Sequence, residues 1–284
     1  MLKKFINGLL FGAGFAIAFI AVVWGYFYFI NIKNQGSVEE VVLEAPPVTE
    51  RPERFYGSSG VFSGSFVEDR NKVLSSGDAI IVGSVLGEGK PIQGVKLRLG
   101  LNGAVMSQWA TTDINGRYHI SVPADEYQID GYELDYDSAN IVMSGLIDSP
   151  RNHTSNDLVS ASSDKEGKGL NLSYVRPVVK SVATNTLVLD QNADISWEKY
   201  PEAYSYEVQF YEKTNPDSYR SKHIFPASLK TNENHLNIGQ YTDKFQEGRY
   251  YLFDVRALDE NGMAISASYR NFTSYDFIVI PNSD

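Results

Sequence analysis

The sequence predicts one N-terminal transmembrane helix followed by an all-β exported part that forms two tandem β-sandwiches. Three observations support this fold class. Residues 5–32 carry no charged side chain, and beyond residue 76 several runs alternate apolar with polar residues. Turn-forming residues separate these runs about every eight to twelve positions, which is typical of sandwiches. At 284 residues the chain is long enough for one or two domains with ordinary cores.

The uncharged run from Phe5 to Ile32 is the first predicted element. As a helix it would be about 42 Å long, which exceeds the ~30 Å hydrocarbon core of a bilayer. Its exit side, Trp24 to Phe29, reads WGYFYF, so bulky aromatics occupy the place where a signal peptidase requires small residues. Trp and Tyr favour the headgroup region. We therefore predict an uncleaved transmembrane helix over 5–32, with the lipid bilayer as its partner.

Charge predicts the orientation of this helix. Lys3 and Lys4 lie in the four-residue tail before the helix, and cationic flanks stay in the cytoplasm. The sequence thus predicts a single-pass protein of the inner (cytoplasmic) membrane, with its N-terminus cytoplasmic and residues 33–284 periplasmic or extracellular. The net charge of −10 would repel nucleic acid, so we expect no nucleic-acid partner.

Three small residues recur every four positions on one face of this helix: Gly8, Gly12 and Ala16. Small residues at that spacing allow two membrane helices to approach closely. They are candidates for helix packing, and hence for a homo- or hetero-oligomer. The alternative, that Gly and Ala are simply common in membrane helices, stays open.

The exported part divides by composition into a linker and two domains. Residues 33–76 are rich in Pro, Glu and Ser and read as a linker. Within it, VFSGSFVEDRNKVL forms a short strand or stays irregular, and the pattern does not decide. We predict domains over 77–177 and 178–284, with Pro177 at the boundary. The polar stretch 144–169 reads as a long loop, and nothing after residue 32 has convincing helical periodicity.

Two-residue periodicity predicts which side chains face each core. In the first domain the inward residues are Ile81, Gly83, Val85, Val95, Leu97, Leu99, Leu101, Tyr118, Ile120 and Val122. In the second they are Ile195, Trp197, Tyr204, Tyr206, Val208, Phe210, Tyr251, Phe253, Val255 and Ala257.

The run 79–127 resembles a carboxypeptidase regulatory-like domain. Its GSVLGEGKPIQGVKLRL and TTDINGRYHISVPADEY follow that family's pattern of a Gly-rich turn, an alternating strand and a TDxxGxY hairpin. Asp125 and Glu126 stand where the family prefers Gly before Tyr127. The resemblance implies a transthyretin-like sandwich of about seven strands and no peptidase activity.

The run 178–280 is similar to a fibronectin type III domain. ISWEKYPEAYSYEVQFYE resembles that family's Trp-containing strand and the strand after it, and GRYYLFDVRALDENG resembles its alternating strand before a turn. The resemblance implies a tyrosine corner, in which a Tyr hydroxyl bonds back to the backbone. Tyr251 is the candidate and Tyr250 the alternative. Both families host adhesion, scaffolding and accessory roles, since fold does not determine function.

Two Asp-x-Asn-Gly segments could be calcium loops or hairpin turns. The weak calcium candidates are Asp113 and Asn115 in the first domain, and Asp259 and Asn261 in the second. Calcium needs about six to eight oxygens, usually from several carboxylates, and neither turn supplies them. Asn-Gly also favours tight turns. We therefore predict turns, and no metal or other cofactor.

The remaining residue patterns do not indicate a catalytic site. The chain has no cysteine, which excludes a thiol nucleophile and thiolate metal sites. Its histidines, at 119, 153, 223 and 235, lack the spacing of local metal motifs. His119 should face solvent. Glu133, Asp135 and Asp137 are predicted to share one strand face, where paired carboxylates could act on glycosides or simply be solvated. We predict that the protein is not an enzyme.

Aromatic residues are the remaining indication of binding. Tyr132 and Tyr136 are predicted on one side of a strand, and Tyr211 and Tyr219 outside the core face. Exposed Tyr can stack on sugars or proteins, although Tyr is also simply a good strand former.

These observations favour a non-catalytic binding or scaffolding protein of the bacterial envelope, whose partner is an unknown protein or glycan. One alternative is an accessory subunit of a membrane complex that associates through its transmembrane helix. Another is a glycan-binding or hydrolytic protein whose site is assembled from separated residues.

Overall fold

The structure is a computed structural model that describes residues 54–57, 60–61, 70–152, 158–181, 186–269 and 275–280. These residues form mainly β-strands, arranged in four sheets. The predicted all-β class is therefore confirmed for these residues. The predicted transmembrane helix and its small residues Gly8, Gly12 and Ala16 lie outside the described residues. Within the described ranges, no helix has the length and apolar character needed to cross a membrane.

The strands between Gly60 and Val175 form two sheets, and we call this part of the chain the first half. Its strands are β1 (Gly60–Val61), β2 (Ala79–Gly87), β3 (Lys90–Pro91), β4 (Lys96–Leu101), β5 (Val105–Met106), β6 (Ala110–Thr111), β7 (Arg117–Val122), β8 (Asp125–Leu134), β9 (Ile147–Asp148), β10 (Leu158–Ala161) and β11 (Gly167–Val175). One sheet has the order β1-β8-β4-β5, with β10 paired to β8 and β6 paired to β4. The other has the order β3-β2-β11-β9, with β7 paired to β2. Strands β2 and β11 are parallel.

These two sheets share one hydrophobic core. Its buried members include alternate residues of β2, β4 and β7, as the period of two predicts. All ten predicted inward residues of this half are buried. Each large apolar side chain removed from water contributes about 1.5–3 kcal/mol before the entropy of ordering it.

Part of the predicted linker 33–76 packs onto this core. Phe55 is buried there, and its ring meets the Tyr174 ring edge-on, with 5.3 Å between the ring centroids. The backbone N–H of Phe55 donates to Asn140 Oδ1 at 3.1 Å. Composition could not reveal this contact, because one Phe in a polar segment has no periodic neighbours.

The segment whose strand content the pattern left open also contributes. Gly60 and Val61 form β1 and pair with Tyr132 and Gly131 of β8. Farther on, the backbone N–H of Leu74 donates to the carbonyl oxygen of Met106.

One α-helix, α1 (Tyr136–Val142), interrupts the strands and corrects the prediction of no helix after residue 32. Asp135 caps its N-terminus: the carboxylate accepts the Ser138 N–H at 3.0 Å, and the Ser138 hydroxyl donates to the Asp135 carbonyl at 2.8 Å. Of its seven residues only Ala139 is fully buried, so no apolar periodicity could show. The Asp-x-x-Ser cap was the available indication.

The helix also corrects two predicted groupings. Glu133 lies in β8, while Asp135 caps α1 and Asp137 lies in its first turn, so the three carboxylates do not share a strand face. Tyr132 is buried in the core and Tyr136 is exposed on the helix.

The predicted loop 144–169 was wrong in part, because it contains β9, β10 and the start of β11. Beyond β9, the Asn152 side chain bonds to both backbone groups of Ser173, at 2.7 Å each. A polar side chain here takes the place of a neighbouring strand, which explains why the segment looks like a loop in sequence.

The second half also contains two sheets. Its strands are β12 (Lys180–Ser181), β13 (Thr186–Val188), β14 (Asp194–Trp197), β15 (Ser205–Lys213), β16 (Lys222–His223), β17 (Leu229–Thr231), β18 (His235–Asn237), β19 (Tyr250–Leu258), β20 (Ala264–Ala267) and β21 (Phe277–Ile280). The order is β12-β14-β18 in the smaller sheet and β13-β21-β19-β15-β16 in the larger, where β17 pairs with β15 and β20 with β19. A 3-10 helix, Gly239–Lys244, follows β18.

Aromatic side chains dominate the core between these sheets. Trp197 of β14 meets Tyr206 of β15 edge-on, with 5.2 Å between ring centroids. Phe210 and Phe253 pack against each other in the same core. The predicted inward residues of this half are buried, with one correction. Tyr204 is 65% exposed, because β15 begins after it at Ser205.

A tyrosine corner is present at the start of β19. The backbone N–H of Gln246 donates to the Tyr251 hydroxyl at 2.7 Å, five residues upstream. Tyr251 is fully buried, whereas Tyr250 is half-buried against the Tyr275 ring. Tyr251 rather than Tyr250 therefore fills the expected position, and burial raises the pKa of its hydroxyl.

Replacing Tyr251 with Phe should lower the free energy of unfolding by about 1–3 kcal/mol, because the Gln246 N–H loses its buried acceptor. Tyr250→Phe is the matched control and should change stability by less than about 0.5 kcal/mol. Urea denaturation of both variants measures the difference. Equal losses would show that the hydroxyl of Tyr251 contributes nothing specific.

Candidate functional site

The first Asp-x-Asn-Gly segment is a tight turn that connects β6 of one sheet to β7 of the other. Asp113 Oδ1 accepts the backbone N–H groups of Asn115 at 2.8 Å and Arg117 at 2.9 Å. Gly116 has φ +70, the left-handed conformation that glycine adopts at little cost. One carboxylate oxygen is thus used to fix the turn.

The second segment has the same geometry between β19 and β20. Asp259 Oδ1 accepts the N–H groups of Asn261 and Met263, at 2.9 Å each, and Gly262 has φ +75. The other oxygen, Oδ2, accepts from the Arg151 guanidinium. The Met263 and Asn261 N–H groups, together with Arg151, lower the pKa of Asp259. Across the described ranges, no three His, Cys, Asp or Glu side chains group as metal ligands would.

This turn lies at the junction between the two cores, because its Asp259 pairs with Arg151. Arg151 follows β9 in the first half of the chain, and Asp259 follows β19 in the second half. Their ion pair is partly exposed, with 49% of the Arg151 side chain accessible. An ion pair of this kind contributes up to about 1 kcal/mol, so other contacts must order the junction.

Glu88, in the turn after β2, bonds to the connector between the two cores, by which we mean residues 175–179. Glu88 Oε1 accepts the backbone N–H of Arg176 at 2.7 Å, and Glu88 Oε2 accepts Arg176 Nε at 2.8 Å. Glu88 and Gly89 form the two-residue turn between β2 and β3, at φ +52 and +73. This conformation costs a non-glycine residue of the order of 1 kcal/mol, which the two hydrogen bonds offset.

The second core holds the same connector residue from the other side. The Ser266 hydroxyl donates to the Arg176 carbonyl oxygen at 2.6 Å, and Ser266 is fully buried. Two residues on, the Val178 N–H donates to the Ala267 carbonyl at 3.0 Å. The backbone N–H and the C=O of Arg176 are therefore bonded to different cores.

A cavity of about 620 Å³ lies beside this connector. Its walls carry charged side chains of both signs: Glu88, Arg151, Arg176, Glu198, Lys199 and Glu202. Tyr200 also lines it, and burial, with the Glu88 charge, raises the pKa of its hydroxyl. Arg151 and Arg176 already have carboxylate partners, and these ion pairs order the junction. A ligand could bind either guanidinium only by displacing its carboxylate partner.

An aromatic and cationic cluster lies on the outer face of the first half. Trp109, 38% exposed, has the Arg98 guanidinium carbon 4.7 Å and Lys96 Nζ 5.1 Å from its ring centroid. Arg98 is also paired to Glu133 at 2.6 Å. Arg98 of β4 lies opposite Glu133 of β8, and Trp109 directly precedes β6, which pairs with the other side of β4.

The sequence interpretation missed Trp109, Glu88 and Arg176, since each acquires its role only through contact with a side chain or backbone group distant in sequence. Of the tyrosines it named, Tyr211 of β15 packs against His223 with ring centroids 4.5 Å apart, and Tyr219 is 74% exposed.

The histidines are placed separately. His119 lies on the exposed face of β7, as predicted, and His223 and His235 are also exposed. His153 lies outside the described residues.

No protein-family model matches this chain, and neither does any curated protein. Solved structures similar to it include two DUF3823 family proteins. The one from Bacteroides ovatus has 14% identity and a TM-score of 0.22, covering 68% of this chain and 97% of that chain. The one from Parabacteroides merdae has 14% identity and a TM-score of 0.19, covering 67% and 98% respectively.

The Bacillus anthracis TIE protein is a third similar structure, with 12% identity and a TM-score of 0.22. The likeness covers 72% of this chain and 33% of that chain. We draw no function from these likenesses.

Proposed function

We propose that this chain is a membrane-anchored binding or scaffolding protein of the bacterial envelope that performs no catalysis. The uncharged run 5–32, preceded by Lys3 and Lys4, supports a single transmembrane helix with a cytoplasmic N-terminus. Residues 33–284 are then periplasmic or extracellular, and the junction and the Trp109 face are available to a partner there.

The proposed exported part consists of a carboxypeptidase regulatory-like sandwich over 77–177 and a fibronectin type III-like sandwich over 178–284. Separate hydrophobic cores support this division, since one draws on residues between 55 and 174 and the other on residues between 178 and 279. The hydrogen bond from the Gln246 N–H to the Tyr251 hydroxyl supports the second resemblance, which implies a tyrosine corner.

The observation that carries the scaffolding role is the double attachment of Arg176. Its N–H and side chain bond to Glu88 of the first core, and its C=O bonds to Ser266 of the second. A connector held on both sides presents two sandwiches at a fixed spacing, which a scaffold requires and a flexible linker does not give.

The proposed binding surface is the Trp109 face, and its partner is a protein or a glycan. The Arg98 and Lys96 cations hold the indole, and an immobilised, exposed aromatic ring contributes contact area at low entropic cost.

Crosslinking and affinity purification of the full-length protein from its native membrane test this proposal. We expect a specific partner with wild type and loss of that partner with Trp109→Ala. Tyr219→Ala, another exposed aromatic, is the matched control and should retain it. Equal recovery from all three proteins would refute the Trp109 face.

A second candidate function, an accessory subunit of a membrane complex, is favoured by the spacing of Gly8, Gly12 and Ala16. Gly8→Leu with Gly12→Leu should then remove the partner while Trp109→Ala keeps it. Gly14→Leu, on another face of the same predicted helix, is the control.

A further inference from the structure

The four residues Arg54–Gly57, which we name the strap, attach the N-terminal side of the exported part to the first core. The Tyr56 N–H donates to the Leu146 carbonyl, and the Gly145 N–H donates to the Arg54 carbonyl, each at 3.1 Å. With the burial of Phe55 in the core, these bonds give the strap a fixed position on α1 and the residues that follow it.

The next side chain of the strap contacts a residue that follows β20 in the second half of the chain. The Tyr56 ring contacts the Tyr269 ring, with centroids 4.0 Å apart and planes inclined by 52°. Burial and the Tyr56 hydroxyl raise the pKa of Tyr269 to about 12. Tyr269 follows Ser268, which bridges to Val178 in the connector. The strap therefore bridges the two cores near the connector but through separate side chains.

The strap differs in kind from the charged contacts of the junction. The Arg151 and Arg176 side chains are 49% and 52% exposed in their ion pairs, so water and salt weaken those pairs. The Tyr56–Tyr269 contact is between two uncharged aromatic side chains, so salt does not screen it. A connector held at Arg176 still allows the two cores to rotate about it. The Tyr56–Tyr269 contact restricts that rotation.

We propose that the strap is a conformational device: while Tyr56 lies against Tyr269 the two cores keep one orientation, and release of the strap lets them reorient about the connector 175–179. The strap directly continues the segment that leads from the N-terminal run 5–32. This inference does not depend on what the protein binds.

Distance measurement by pulsed electron paramagnetic resonance tests the proposal in the full-length chain in detergent. The chain has no cysteine, so Glu126→Cys and Glu233→Cys provide unique spin-label sites, both exposed, one on each half. In this labelled background we compare no further change, Tyr56→Ala, Tyr269→Ala and Tyr219→Ala, the last being the matched control.

We expect one narrow distance distribution for the labelled parent and for Tyr219→Ala. Tyr56→Ala and Tyr269→Ala should each shift or broaden it beyond the spread of replicate samples. A variant that combines Tyr56→Ala with Tyr269→Ala should add nothing further. Thermal unfolding of each variant confirms that the cores are intact. If Tyr56→Ala, folded, gives the parent distribution in both low and high salt, the strap does not control the orientation and the inference is wrong.

Discussion

Replacing Phe55 with Ala should lower the free energy of unfolding of the first core by about 3 kcal/mol, the lower end of the range for a buried Phe. The ring is 4% exposed and packs against Tyr174. Its removal leaves a cavity among side chains that belong to distant strands and cannot collapse freely. Urea denaturation of residues 54–284 measures this loss.

A shorter chain that begins at residue 58 lacks the strap, and its free energy of unfolding sets the lowest value expected for Phe55→Ala. Detachment of the strap is the largest change that the Phe55 substitution can cause, so Phe55→Ala should be no less stable than that shorter chain. Tyr56→Ala, whose side chain is 39% exposed, should cost the first core less than about 1 kcal/mol. A stability of Phe55→Ala equal to wild type would contradict the buried position of the ring.

Replacing Asp276 with Ala should destabilise the second core by about 3–5 kcal/mol, because it leaves a buried cation without its partner. Lys180 Nζ lies 2.6 and 2.7 Å from the two Asp276 carboxylate oxygens and 3.0 Å from the Phe253 carbonyl oxygen. The Asp276 carboxylate also accepts the Phe253 N–H at 2.8 Å. Only 6% of the Lys180 side chain and 11% of the Asp276 side chain are exposed.

The matched control is the ion pair of Lys230 and Glu207, which are 3.1 Å apart with 71% of the Lys230 side chain exposed. Glu207→Ala should cost less than about 1 kcal/mol. The double variant Lys180→Met with Asp276→Leu should recover part of the loss, since it removes both charges together but leaves the Phe253 N–H and C=O without these partners. If Asp276→Ala were as mild as Glu207→Ala, the pair would not be buried in solution.

Local patterns were sufficient for most of the β-structure. Alternation marked the inward faces of β2, β4, β7, β15 and β19 correctly, because side chains on a strand point to opposite faces in turn. The Asp-x-Asn-Gly segments were recognised as turns for a local reason as well, since their hydrogen bonds close within four residues.

Short or isolated elements were missed for the same reason. Helix α1 has seven residues and one fully buried side chain, so its periodicity is too brief to detect. Strand β10 lies in a polar stretch and pairs with β8, a partner more than twenty residues upstream.

The candidate site was the least predictable part. Glu88 and Arg176 are 88 positions apart in sequence, and Arg151 and Asp259 are 108 apart. Nothing near Glu88 in sequence indicates that its carboxylate will accept from the connector. That contact requires β2 and β11 to lie side by side, a parallel pairing that follows from the whole core.

The sequence alone determined the all-β class, the inward faces of the long strands and the two Asp-x-Asn-Gly turns, because each depends on residues that are neighbours along the chain. The tertiary structure alone decided the burial of Phe55, the ion pair of Lys180 with Asp276 and the attachment of Arg176 to both cores. These contacts join residues that only the register and packing of separate sheets bring together, and no local pattern encodes that register.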